Sequence, residues 1–173
     1  MPRLFIALAL PPEVTVPLAA LLPASMRGMR RVPPEQMHLT LHFIGEAEIE
    51  HIATLIKPVH MQPFSVLING VGQFSRGTVL WAGVAPEPAL LELHAGISQA
   101  LVQGEIAVET RPYRPHITLA RCKPYAPRRV MHDFLEHNAG LELPQVKVSE
   151  FALYSSPPST HGPIYRVERG FPG

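Results

Sequence analysis

Apolar residues recur along the chain with two periods, and the switches between them mark out the predicted elements. Residues 3–10 read as a buried strand, an unbroken apolar run after Arg3 that Pro11 and Pro12 close. Residues 13–22 read as a short helix weakened by Pro17. Residues 28–36 read as a loop carrying Arg30 and Arg31, and 37–44 as a strand ended by Gly45. Ile49, Ile52 and Ile56 share one face, which predicts a helix over 46–56. Strands are predicted at 64–68 and 78–84, with a glycine-containing, turn-rich connection over 69–77. Leu90, Leu93, Ile97 and Leu101 form one stripe of a helix over 89–102, stopped by Gly104. Short strands follow at 106–109 and 116–121, a helix at 128–137 closed by Asn138 and Gly140, and strands at 145–155 and 164–168. Helices and strands interleave without a strict βαβ rhythm. That predicts an α+β fold with antiparallel sheet rather than a doubly wound parallel one.

Composition narrows the class. A length of 173 residues, with no Gly/Ser linker, fits one domain spanning residues 1–173, and the 20 prolines are scattered as loop punctuation. Hydrophobic residues make up 46% and the mean hydropathy is +0.11, enough for a core and too much for a disordered chain. The net charge of +1 argues against a broad positive field for duplex DNA, while a small anion or a nucleic-acid end needs only a local basic site. The lone Cys122 forms no internal disulfide and no cysteine zinc cluster, so it is expected to be packed, in a reducing, cytoplasmic setting. The apolar run at the start is too short for a membrane span and lacks a small-residue cleavage site, so no membrane association is expected. The chain is expected to act as a monomer.

One internal echo carries chemistry. Met37-His38-Leu39-Thr40-Leu41-His42 resembles Pro115-His116-Ile117-Thr118-Leu119-Ala120, nearly half a chain length away, and each copy follows a loop bearing Pro and Arg. In a strand, alternate side chains share a face, so His38 and Thr40 point one way while Leu39, Leu41 and Phe43 point into the core. His116 and Thr118 stand likewise opposite Ile117 and Leu119, with about 7 Å between imidazole and hydroxyl positions along each strand. Two such strands side by side supply two imidazoles and two hydroxyls. That set suits phosphodiester cleavage, which needs a base for the attacking water, an acid for the departing oxygen and donors for the phosphate oxygens. Histidine serves in either role near neutral pH. Spacing alone leaves the acid and the base interchangeable.

A lone His-x-Thr is usually structural, and the remaining histidines are read as ordinary residues: His42 as lining the pocket from the same strand face, and His51, His60, His94, His132, His137 and His161 as surface or helix residues. No His-Glu-x-x-His, His-x-His or cysteine pair appears, so no metal and no cofactor are expected. Gly70-x-Gly72 followed by Gly77 is neither a dinucleotide nor a P-loop fingerprint.

With its flanks, the paired motif resembles the 2H phosphoesterase superfamily, and within it the bacterial and archaeal RNA 2′,3′-cyclic phosphodiesterases, also called 2′-5′ RNA ligases. The resemblance runs from Arg3-Leu4-Phe5-Ile6-Ala7-Leu8 through Pro34 to Gly45, Gly70 to Phe74 and Val79-Leu80-Trp81. It is strongest at Arg111-Pro112-Tyr113-Arg114-Pro115-His116-Ile117-Thr118-Leu119-Ala120-Arg121, and ends near Phe151 to Ser155. It implies two pseudo-symmetric lobes of antiparallel sheet with flanking helices around a central cleft. It also implies metal-independent opening of an RNA 2′,3′-cyclic phosphate to a 2′-phosphomonoester. By the same resemblance His38 is the proton donor, His116 the proton acceptor, Thr40 and Thr118 hold phosphate oxygens, and Arg121 adds a phosphate or base contact. Strict alternation from His116 puts Arg121 on the opposite face, so a strand end or a bulge must redirect it. Tyr113 and Phe43 are candidates to stack on a base.

The expected partner is therefore an RNA with a 2′,3′-cyclic phosphate end or a small cyclic nucleotide. Two other readings stay open: the same fold acting on a small cyclic nucleotide or an ADP-ribose cyclic phosphate, and a non-catalytic module that binds RNA ends.

Overall fold

The strand that opens the fold, β1 (Arg3–Ala9), is apolar on both faces because both are covered. Leu4, Ile6 and Leu8 enter the main core, while Phe5 and Ala7 join a smaller cluster with Ala152 and Tyr154 on the opposite face. The molecule is a computed structural model describing residues 1–23, 26–74, 78–159 and 164–172. The elements that follow are α1 (Pro12–Ala20), β2 (Met29–Arg31), a 3-10 turn (Pro34–Gln36), β3 (His38–Glu46), α2 (Ile49–Ile56), β4 (Phe64–Val66) and β5 (Ile68–Phe74). Then come β6 (Val79–Val84), α3 (Pro88–Gln103), β7 (His116–Cys122), α4 (Arg128–His137), β8 (Val146–Val148), β9 (Glu150–Ser155) and β10 (Arg166–Pro172).

The strands build two four-stranded antiparallel sheets, ordered β10-β9-β1-β3 and β2-β7-β6-β5, with a two-stranded β4-β8 ladder. This is the α+β fold with two related lobes that the sequence predicts. The succession β1-α1-β3-α2-β4-β5 is repeated as β6-α3-β7-α4-β8-β9. Each half lends its last strand to the other half's sheet: β5 pairs with β6, and β9 pairs with β1. The halves are thus interlocked through backbone hydrogen bonds, which is why no linker separates them.

Four predicted boundaries are corrected. Residues 69–77 were expected to be a turn-rich connection; instead 68–74 form β5, because pairing with β6 overrides the weak strand preference of Gly72, while Asn69 and Gly70 fall in a bulge and bond to the Leu141–Glu142 segment. Gly77 lies outside the described residues. The expected strand at 106–109 is absent, since no neighbouring strand accepts it. The expected loop over 28–36 contains β2, an edge strand on β7. The single strand predicted over 145–155 divides, β8 pairing with β4 and β9 with β1 and β10. The helix stripe of α3 is as predicted, with Leu90, Leu93, Ile97 and Leu101 buried and Gly104 taking the C-cap. Among the described residues, no helix is long and apolar enough to cross a membrane.

Candidate active site

The two motif strands, β3 and β7, carry their histidines at equivalent places, and the same irregularity follows each. Opposite β3, Ile6 pairs with His42 and Ala7 with Thr40, so Leu41 is an extra residue. Opposite β7, Leu80 pairs with Ala120 and Trp81 with Thr118, so Leu119 is the extra one. A bulge at each leucine flips the alternation that follows. The residue four past each histidine turns inward, and the residue five past it turns outward.

This corrects two expectations on β3. His42, expected to line the pocket, is buried at 6% exposure on the core side. Phe43, placed with Leu39 and Leu41 by strict alternation but named by the resemblance as a candidate to stack on a base, is 61% exposed and lines the cleft. On β7 the bulge brings Arg121 to the cleft, as the resemblance requires. Phe43 and Arg121 are therefore counterparts across the pseudo-symmetry, one aromatic and one cationic.

Between the sheets lies a cleft of about 390 Å³ lined by His38, Thr40, His116, Thr118, Arg121 and Phe43. The two imidazoles are held alike. His38 Nδ1–H donates to the Gln36 carbonyl at 2.8 Å, and His116 Nδ1–H donates to the Arg114 carbonyl at 2.7 Å. A carbonyl only accepts, so Nδ1 carries the hydrogen and each neutral ring keeps the Nε2 lone pair free. Both rings are held below the usual histidine range, chiefly by burial. The Gln36 and Arg114 carbonyls oppose that shift; the positive charge of Arg121 reinforces it for both rings, as does His116 for His38. His38 feels the charges of Arg121 and His116 from β7 because the two strands converge on one cleft.

Aromatic residues that pattern reading missed pack the imidazoles from behind. Phe5 stacks on His38 with centroids 4.8 Å apart, and Tyr165 meets the same ring edge-on at 5.1 Å. Phe74 meets His116 edge-on at 4.8 Å, and Trp81 lies 6.1 Å from it. Phe5 was visible in principle, since period two along β1 separates it from Leu4 and Ile6. Nothing local to Tyr165 signals its place.

Tyr113 does not line the cleft, contrary to the expectation that it meets substrate. Its hydroxyl donates to the Thr40 carbonyl at 2.7 Å, and its ring stacks on His94 at 3.9 Å. His94, expected to be an ordinary helix residue, stacks in turn on His42 at 4.2 Å. His42 Nε2 lies 3.1 Å from the His94 carbonyl and 3.1 Å from Ser98 Oγ. This stack ties the loop before β7 and helix α3 to the back of β3. Burial pushes the Tyr113 phenol up, so it stays a donor, and pushes His42 and His94 down, His94 to about 4. His51, His60, His132 and His137 are exposed, as expected, and His161 lies outside the described residues. Cys122 is buried, and burial raises its thiol above the usual range. Among the described residues, no three of His, Cys, Asp and Glu gather as a metal site.

A family model described as the 2'-5' RNA ligase superfamily matches residues 17–157. An RNA 2',3'-cyclic phosphodiesterase of Thermus thermophilus is 37% identical, over 98% of this chain and 89% of that protein. Another, of Thermotoga maritima, is 31% identical, over 95% of this chain and 92% of that protein. Among solved structures, TT0787 of Thermus thermophilus superposes with a TM-score of 0.81 at 30% identity, covering 98% and 97% of the two chains. LigT of E. coli, complexed with 3'-AMP, superposes with a TM-score of 0.77 at 25% identity, covering 99% and 97%.

Proposed function

The chain belongs to the 2'-5' RNA ligase superfamily, and from that premise we propose that it hydrolyses RNA 2′,3′-cyclic phosphodiesters to 2′-phosphomonoesters by histidine acid–base catalysis, without a metal. The observation that carries this reading is the pair of equivalent imidazoles, each with Nδ1 committed to a backbone carbonyl and both lining one cleft.

The cleft's asymmetry supports one division of the roles. The leaving 3′-oxygen belongs to the ribose, whereas the attacking water approaches from the side opposite the ribose. Phe43 supplies an exposed aromatic face on the β3 side, and Phe5 lies 6.2 Å from it and stacks on His38. A nucleoside resting on that side puts its 3′-oxygen against His38. His38 Nε2–H then gives its proton to O3′ as the P–O3′ bond breaks, while His116 Nε2 takes a proton from the water whose oxygen bonds to phosphorus. The Thr40 and Thr118 hydroxyls donate to the non-bridging oxygens, and Arg121 offsets their charge. The free enzyme holds both imidazoles neutral at pH 7, and the arriving anion favours protonation of one of them. With an RNA 5′-hydroxyl in place of water, the same break of P–O3′, again with His38 protonating O3′ and His116 taking the nucleophile's proton, forms a 2′-5′ linkage.

The test is hydrolysis of an RNA bearing a 2′,3′-cyclic phosphate end in excess EDTA, with the product's phosphate position read by phosphorus NMR. A 2′-phosphate is expected, with turnover lowered at least about 10²-fold by His38→Ala and by His116→Ala. A 3′-phosphate product, or unchanged turnover in either variant, overturns the reading. Binding without product would favour the RNA-end module instead.

A further inference from the structure

The net charge of +1 conceals a strong local segregation of charge. Residues 14–34 contain Arg27, Arg30 and Arg31 and no acidic residue, and residues 110–132 contain six lysines and arginines and no acidic residue. The structure joins these two stretches, because β2 pairs with β7 and sets Arg30 directly opposite Arg121. Both arginines line the cleft and are exposed. Like charges facing each other across a ladder are destabilising unless an anion lies between or beside them.

The other arginines of the cleft are differently placed. Arg3 faces Glu46 across β1 and β3. Arg31 donates to the Pro23 and Ala19 carbonyls at 2.5 and 2.6 Å. Arg121 acts electrostatically on both His38 and His116 and so belongs with the reacting phosphate. Arg30 stands one strand further out, about 4.8 Å by the usual spacing, and makes no ion pair with any described carboxylate.

We propose that Arg30 forms a second phosphate subsite that takes the phosphodiester on the 5′ side of the terminal nucleotide. The inference rests on the reading of the cleft given above and adds the substrate class: an RNA end of at least two nucleotides, rather than a free cyclic mononucleotide. An arginine fork matches two phosphate oxygens, and a hydrogen bond between charged groups contributes about 1.5–3 kcal/mol, on the order of 10- to 100-fold in preference.

Two substrates separate the subsite from the reaction: cytidine 2′,3′-cyclic phosphate, and the dinucleotide CpC ending in a 2′,3′-cyclic phosphate. The wild-type kcat/KM should favour the dinucleotide by at least about 10-fold at low salt. The two salt dependences should differ in slope by about 0.7, the value for one phosphate of a single strand. Arg30→Gln should remove both differences by slowing the dinucleotide while the mononucleotide changes less than about twofold. Arg30→Lys, which keeps the charge, should retain part of the preference. A wild type without preference, or an Arg30→Gln variant that slows both substrates equally or neither, overturns the proposal. Equilibrium binding of the 2′-phosphate products, CpC-2′-phosphate against 2′-CMP, tests the subsite apart from chemistry. Dinucleotide selectivity that Arg30→Gln abolishes supports the subsite even if neither substrate is hydrolysed, whereas equal binding of the two products refutes it.

Discussion

Leu41 and Leu119 each occupy a bulge, and that single extra residue decides which side chains reach the cleft. Phe43 owes its exposure to the first bulge and Arg121 its approach to the imidazoles to the second. Replacing Phe43 by Ala removes the aromatic face without touching either imidazole. Stacking on one aromatic is worth about 1–3 kcal/mol per base, so KM for a cyclic nucleotide should rise about 5- to 100-fold while kcat stays near wild type. Steady-state kinetics check this, and a fall in kcat alone would contradict it. The His-x-Thr pairs were legible in the sequence because period two fixes which residues share a face. Only on β7 did the sequence call for an irregularity, a strand end or a bulge, because the resemblance demanded that Arg121 reach the site. On β3 nothing marked Leu41 as the extra residue, so strict alternation put His42 and Phe43 on the wrong faces, and only the resemblance offered Phe43 as a base-stacking residue. Buried His42 and half-buried His94 have a further consequence. Burial lowers both, so an unfolded chain takes up these protons first. Their contribution to stability is complete above about pH 6.5 and is lost as pH falls towards 4, the value to which His94 is pushed. Urea unfolding at pH 7, 6, 5 and 4 should show this decline, and His94→Phe should flatten it.

At the scale of elements, sequence pattern reads best where packing and propensity agree. Helix α3 carries one buried stripe and a glycine stop, and both were predicted. Strand β1 was predicted as a buried strand, although its continuous apolar run concealed that its two faces serve different clusters. Strand β5 was misread because its glycines signal turns in isolation. Their role emerges only with β6 alongside. A Cβ on Gly72 would lie 2.2 Å from Trp81 Cζ2, so the absence of a side chain there lets the indole lie flat against β5. Trp81 and Phe74 in turn pack His116. Gly72→Ala must displace the indole and loosen the His116 imidazole. Stability should fall by about 1–3 kcal/mol, as overpacking usually costs, and kcat should fall more than KM changes. Denaturant unfolding beside kinetics checks both, and an unaltered kcat would separate Trp81 from the site.

At the scale of the molecule, the duplicated order of elements explains how one short motif yields a two-sided site. Each half contributes one His-x-Thr strand, and the exchange of β5 and β9 between sheets holds those strands face to face. The internal echo and the α+β class were visible in the sequence, but the exchange was not, because strand partners many residues apart leave no local signal. Near-symmetry supplies two equivalent imidazoles, and the departures from it, Phe43 against Arg121, are what the proposed division of acid and base roles rests on. The structure of the enzyme bound to a nucleoside 2′-phosphate product tests this most directly. The account predicts one phosphate within about 3 Å of both Nε2 atoms, the ribose 3′-hydroxyl against His38 and the base over Phe43. A phosphate touched by only one imidazole, or a ribose lying on the His116 side, would contradict it.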